Sequence, residues 1–287
     1  MRTGPDEAHR RMLADLLDAP PGSVVALGAG LDHQAFAVGD ELIARFVVGP
    51  DAEVTESVTR EAEVLRVVEG RLPVATPHVV DARPELGLLV TSRIQGSSLL
   101  GRDMPTPATA DSIADVLVAL HTIDVAEVAS VVEHDDHPLT AYAEEGHEHL
   151  VVAGPRMPAT SRRAAEAALG RVPEDAPSAV FVHDDFGAEH LFVDDRGALT
   201  GVIDWADAAV ADPARDLARG LRDFGPAVHS RVVARYPAMG DPDTRARTWF
   251  LARCMALEDL AYGITEGRQA YAEAALRSLT WLLPDRP

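Results

Sequence analysis

The segment FVHDDFGAEHLFVDDRGALTGVIDW, from Phe181 to Trp205, carries more acid and histidine than an otherwise apolar stretch would hold without a use for them. Four side chains stand out by type and spacing: His183, Asp185, His190 and Asp204. Asp185 follows the apolar run Ala179–Val182, where a carboxylate can act as a general base toward a hydroxyl; a solvent-facing turn acid would explain neither that position nor its spacing to His190 and Asp204. Leu191–Asp194 and Leu199–Ile203 flank the polar turn DDRG as the arms of a hairpin. Pairing centred near Gly197 is expected to set His190 opposite Asp204. Facing Cα atoms lie about 4.5–5.5 Å apart, close enough for an imidazole and a carboxylate to share one divalent ion.

The elements that must position these groups divide in two. After an amphipathic helix near Ala8–Leu17, strands are expected at Val24–Leu27, Gln34–Val38 and Glu41–Val47, then a helix at Glu53–Val68, then strands at Val79–Val80 and Leu86–Ser92. From Pro107 the periodicity turns helical, with helices expected at Ala108–His121, Ser161–Leu169, Pro213–Phe224, Thr244–Ile264 and Ala270–Leu283. The implied class is α+β with two lobes: residues 1–95, a linker at about 91–97, and residues 98–287.

Composition narrows the partners. In 287 residues there are 46 acidic and 26 basic side chains, a net charge of −20, which argues against nucleic acid or an anionic membrane and suits a cationic partner or a solvated surface. The chain has no lysine and no asparagine, so a Walker loop ending in GK[ST] and a lysine Schiff base are both excluded. One cysteine, Cys254, rules out an intramolecular disulfide. With no apolar run near eighteen residues and no targeting segment in view, a cytoplasmic monomer is expected.

The spacing His183-x-Asp185-x4-His190, followed by Asp204, matches the kinase catalytic-loop pattern H-x-D-x4-N and its later metal-binding Asp, with histidine in the asparagine position. The longer segment VHDDFGAEHLFVDDRGALTGVIDWADAAVADPARDLA resembles the aminoglycoside phosphotransferase family of antibiotic kinases, whose fold is like that of protein kinases. HDDF is similar to the subgroup acting on the 2''-hydroxyl of aminoglycosides, while GLDHQ at Gly30–Gln34 and IDW at Ile203–Trp205 look like the macrolide phosphotransferases.

The resemblance covers most of the chain and implies roles residue by residue. LGAGLDHQAFAVGDELIARF is similar to the family's nucleotide-binding hairpin, with Gly28 and Gly30 in its turn and Arg45 at the phosphate-contacting strand position; Glu61, in REAEVL, falls at that residue's ion-pair partner. LLVTSRIQGSSL looks like the strand and linker between the lobes, which puts Ser92 and Ile94 among the nucleotide-binding residues. Asp185 is implied as the base, with His190 and Asp204 as Mg²⁺ ligands and ATP or GTP as donor. Asp207, Glu258 and Asp259 are substrate candidates, and Glu144, Glu145, Glu148 and Glu266 could add acid to the same pocket.

His183 reads as a loop brace, and Asp212 and Asp216 read as structural. Asp184 stands where the family usually has Gly or Asn; facing inward, it would raise the pKa of one carboxylate by like-charge repulsion. The activity implied is transfer of the γ-phosphoryl group to a hydroxyl of an aminoglycoside-type, cationic antibiotic or a similar alcohol. Macrolides and an unrelated small metabolite are the alternative substrates. Outside this class stand a metal-dependent hydrolase using His183, Asp185, His190 and Asp204 as ligands, and a non-catalytic kinase-like binding module.

Overall fold

The computed structural model describes residues 5–29, 33–102, 105–236 and 242–283. Gly30 lies outside the described residues. The chain divides into two compact units, Met1–Gln95 with Gly201–Ala206, and Gly96–Thr200 with Asp207–Pro287.

The first unit begins with α1 (Pro5–Leu16) and continues through β1 (Val24–Ala29), β2 (His33–Val38), β3 (Leu42–Val47), α2 (Asp51–Val68), β4 (Val79–Arg83) and β5 (Leu88–Ser92). The five strands form one antiparallel sheet in the order β1-β2-β3-β5-β4. Strand alternation sorts its two faces. Phe36, Val38, Ala44, Phe46, Leu88 and Val90 form a core with Leu13 and Ala14 of α1. Arg45 lies between Ala44 and Phe46 and therefore points to the opposite face, where α2 supplies Glu61. Residues 201–206 rejoin this unit: Val202 N donates to Ala75 O at 3.1 Å, and Arg60 Nη2 donates to Ala206 O at 3.1 Å. That return was not part of the sequence expectation.

The second unit holds β6 (Ser97–Ser98), α3 (Pro107–His121), α4 (Val125–Val128), α5 (Leu139–Ala153), α6 (Ala159–Leu169), β7 (Val180–Val182), β8 (Leu191–Val193), β10 (Ala209–Ala211), α7 (Ala214–Arg235), α8 (Pro242–Thr265) and α9 (Gln269–Leu282). Strand β9 (Leu199–Val202) runs out of it into the first. Its core gathers Leu150 of α5, Leu221 of α7, Phe250 and Leu257 of α8, and Leu279 of α9. Helix α5 was not among the expected helices, because charged residues and Gly146 interrupt its apolar spacing. That glycine is a packing site: a Cβ there would lie 2.7 Å from Leu169 Cδ2.

The β8–β9 turn corrects one expectation. Asp194 N donates to Ala198 O at 2.9 Å, and the Asp194 carboxylate accepts from Arg196 N and Ala198 N at 2.8 Å each. This local carboxylate turn, with Gly197 left-handed at φ 80°, tightens the hairpin. At the turn the register is therefore shifted by two residues from the expected one. No helix among the described residues is long and apolar enough to cross a membrane.

Candidate active site

The loop between β7 and β8 carries Asp184, Asp185 and His190, and buried groups fix it from below. Asp216, in the first turn of α7, accepts from His183 N at 3.0 Å, from Asp184 N at 2.8 Å and from His121 Nε2 at 2.9 Å. His121 Nδ1 in turn meets the Tyr236 hydroxyl. Burial opposes charge on Asp216, but the hydrogen bond and charge of His121, with His183 adding to both, hold its carboxyl below the usual range. His183 is fully buried, and its Nδ1 accepts from Asp185 N at 3.2 Å. Both residues brace the loop.

Three arginines of α7 organise the acids above it. Arg215, Arg219 and Arg222 stand at i, i+4 and i+7, on one helix face. Arg215 pairs with the Asp184 carboxylate and, at 2.7 Å, with Asp135. Arg219 Nε donates to Asp184 O at 2.8 Å, and its Nη1 lies 2.7 Å from Asp185 Oδ1. Arg222 pairs with Asp223 at 2.6 Å and with Asp259 at 3.1 Å. Asp184 faces inward: burial pushes its carboxyl up to about 7, against the lowering pull of Arg215 and Arg219. Burial likewise raises Asp259 to about 6 against the pull of Arg222.

His190 Nδ1 donates to the backbone oxygen of Asp185 at 2.8 Å and lies 3.3 Å from Asp185 Oδ2. A carbonyl can only accept, so in the neutral ring the lone pair sits on Nε2, the nitrogen able to bind a metal. Asp185, Glu189 and His190 offer ligand atoms within 4.8 Å of one another. Two carboxylates and an imidazole suit a divalent ion, though Mg²⁺ favours the oxygens. Glu189 also accepts from the Tyr271 hydroxyl at 2.8 Å.

The first unit assembles a separate constellation. Arg45 forks onto Glu61 at 3.0 and 3.1 Å and reaches Asp204 Oδ1 at 3.1 Å. Asp204 holds a left-handed backbone, φ 63°, just before the fully buried Trp205. Gly28, at φ 152°, sits at a register shift of β1 against β2. Ser92 Oγ accepts from His78 N at 2.8 Å, and Ile94 is buried beside Gly201, where an added Cβ would lie 2.7 Å from Ile94 Cγ2.

The structure thus brings Arg45, Glu61 and Asp204 together, and Asp185 together with His190. Asp207 and Glu258 are exposed, and Asp259, partly exposed, pairs with Arg222 at 3.1 Å. Sequence reasoning missed Arg215, Arg219, Glu189 and Asp223. For the arginines the signal was present in the regular spacing of PARDLARGLRD.

A five-stranded antiparallel sheet whose strand arginine pairs with a buried helix glutamate, and a second, mainly helical unit, are the two parts of a protein-kinase-like fold. Residues 23–285 match the model of the phosphotransferase enzyme family (APH), and the chain belongs to that family. Viomycin phosphotransferase of Streptomyces vinaceus is 27% identical over 280 residues, covering 91% of this chain and 94% of that one. The GDP complex of aminoglycoside 2'-phosphotransferase-IIIa superposes with a TM-score of 0.73 at 20% identity, over 96% of this chain and 97% of the other. Macrolide 2'-phosphotransferase type I gives 0.68 at 22% identity, over the same shares. The two-lobed α+β expectation holds.

Proposed function

We propose that this enzyme transfers the γ-phosphoryl group of ATP or GTP to a hydroxyl of a cationic, aminoglycoside-type antibiotic. The observation that carries the reading is the fixing of Asp185. Arg219 holds one of its carboxylate oxygens at 2.7 Å, and His190 holds its backbone oxygen at 2.8 Å. A carboxylate so oriented accepts a hydrogen bond from the substrate hydroxyl and takes its proton as the new P–O bond forms.

Arg45 contacts the donor's phosphates and Glu61 fixes its direction; Gly28, Gly30, Ser92 and Ile94 complete the nucleotide-binding set on residues 1–95. Residues 98–287 carry the base and the substrate surface, with Asp207, Glu258 and Asp259 as its acids. His190 and Asp204 hold Mg²⁺, which when bound neutralises phosphate charge. The enzyme acts as a cytoplasmic monomer without nucleic acid or membrane.

A panel of aminoglycosides, viomycin and macrolides, read by nucleotide consumption, tests this. Turnover of a polycationic member is expected, with a Michaelis constant that rises several-fold between about 0.05 and 0.5 M salt as carboxylate–ammonium pairs are screened. The likeness to a macrolide 2'-phosphotransferase supports a second reading. Turnover of macrolides alone, insensitive to salt, would transfer the assignment to it. Nucleotide-independent stabilisation by metal would instead favour a hydrolase.

A further inference from the structure

Helix α7 is broken at Gly225, φ 74° and ψ 177°, and Pro226 follows. Proline has no N–H, so the carbonyl of Arg222, four residues earlier, loses its helical donor. The C-terminal helix α9 replaces it: Ser278 Oγ, buried, donates to Arg222 O at 2.7 Å. One residue earlier, Trp281 Nε1 donates to Leu221 O at 3.2 Å, and the Trp281 ring lies against Gly225. The backbone from which Arg222 and Asp223 project is therefore pinned by α9.

Those two side chains reach the catalytic loop. Asp223 Oδ2 accepts from Ala188 N at 2.7 Å, between Asp185 and His190 in the chain. Arg222 balances the Asp223 charge through Nε at 2.6 Å and Nη2 at 3.2 Å, and bridges it to Asp259. The fit leaves no slack, since a Cβ on Gly187 would lie 3.0 Å from Arg222 Nη2 and 3.2 Å from Asp223 Oδ2. From the other side, Ser98 Oγ donates to Ala188 O at 3.0 Å.

We infer that Asp223 is a positioning residue for phosphoryl transfer, holding the loop of Asp185 and His190 through Ala188 N, and that Ser278, by sealing the break in α7, fixes Asp223 there. The inference rests on Asp185 being the base. A charge-assisted hydrogen bond to a backbone N–H is among the stronger neutral-loop anchors, and small misplacements of a reacting group are amplified in rate.

The test pairs amide hydrogen exchange over residues 185–190 with steady-state kinetics, on the full chain. Asp223→Ala is expected to speed exchange in that loop and lower kcat by roughly 10- to 100-fold, with the nucleotide KM held within about two-fold. Asp223→Asn keeps an acceptor oxygen and is expected to recover most of the loss. Ser278→Ala should give a smaller effect of the same kind, and Asp223→Ala with Ser278→Ala should be no worse than Asp223→Ala alone, because both act through one anchor. Should Asp223→Ala fail to fold, Gly187→Ala supplies the perturbation from the loop side, with the same expected loss of kcat. Unchanged loop exchange in Asp223→Ala, or in Gly187→Ala where that variant stands in, overturns the inference, as does multiplication of the two single effects. Failure of the unaltered protein to phosphorylate any antibiotic would sink the proposed substrate, while the exchange measurements would still decide the role of Asp223.

Discussion

Replacing Arg45 by Met separates what the Arg45–Glu61 pair does for the fold from what it does for chemistry. The Arg45 side chain is 15% exposed and that of Glu61 only 4%. Cutting the cation leaves the Glu61 carboxylate in a dry site, and breaking a buried pair in this way costs about 3–5 kcal/mol. At about 2–4 °C per kcal/mol for a chain of this order of size, the midpoint should fall by roughly 6–20 °C. Asp204, 22% exposed, also loses its cation but retains some water, so it should add less. Replacing both Arg45 and Glu61 by Met removes the buried carboxylate together with its cation and should recover most of the stability, since apolar side chains of similar volume commonly substitute for a buried pair without loss. On the proposed role of Arg45, the same double variant should still lack nucleotide-dependent stabilisation. Urea unfolding followed by tryptophan fluorescence, with and without nucleotide, measures both quantities. The reasoning fails if the double variant is as unstable as Arg45→Met, or if Arg45→Met keeps its full nucleotide response.

Asp185→Ala should lower turnover by a factor on the order of 10² to 10⁴ while leaving nucleotide binding nearly intact; near-normal turnover in a coupled kinase assay would remove Asp185 as base. His190→Asn, which replaces an imidazole by an amide oxygen, should retain much of the activity that His190→Ala loses, and equal inactivity of the two would withdraw its ligand role. His229 reports on pH. Burial depresses its pKa to about 4, so the unfolded chain binds the extra proton between about pH 6.5 and 4, and the stability its neutral form contributes is present above 6.5 and lost as pH falls toward 4. The loss should approach about 3 kcal/mol at the acid end. His229→Leu should flatten that part of a pH series of urea midpoints; an unchanged slope would locate the acid sensitivity elsewhere.

Most of the elements were legible because their patterns are local. The period-two alternation of FAV and ARF set Phe36, Ala44 and Phe46 on the core face of the sheet and left Arg45 on the other, which is where Glu61 meets it. Helix α2 was equally plain, since Val58, Ala62, Leu65 and Val68 repeat at helical spacing and are buried. What stayed hidden depends on contacts distant in sequence. Ser278 could not be read as a partner of Arg222, because only the break at Pro226 creates the need for its hydroxyl. Nor does the sequence show that Asp259, a substrate candidate, pairs with Arg222, because that guanidinium comes from another helix. The hairpin register failed for a different reason. Asp194, three residues before the assumed centre, closes the turn with its own carboxylate, and no hydrophobic alternation reports such a bond.

The adjacent acids Asp184 and Asp185 show how the fold gives one residue type two uses. Consecutive Cα atoms are about 3.8 Å apart, and two carboxylates that close would repel if both faced the same way. The left-handed backbone at Asp184, φ 65°, sends its side chain away from its neighbour's and into the protein. Arg215 and Arg219, one helical turn apart, then meet the two acids separately, the first taking the Asp184 carboxylate and the second the Asp185 carboxylate. The left-handed conformation also explains why glycine or asparagine would serve at 184, since both tolerate it. Aspartate adds what they lack, an anionic group that ties Arg215 and, through it, Asp135 to the loop between β7 and β8. Its cost is a buried carboxyl raised to about 7, which is close to giving up its charge at neutral pH. The Asp185 carboxylate instead lies between Arg219, at 2.7 Å, and the His190 ring, at 3.3 Å. On the proposed function, Asp185 is the one of the pair held for chemistry, and Asp184, tied to Arg215, is the anchor beside it.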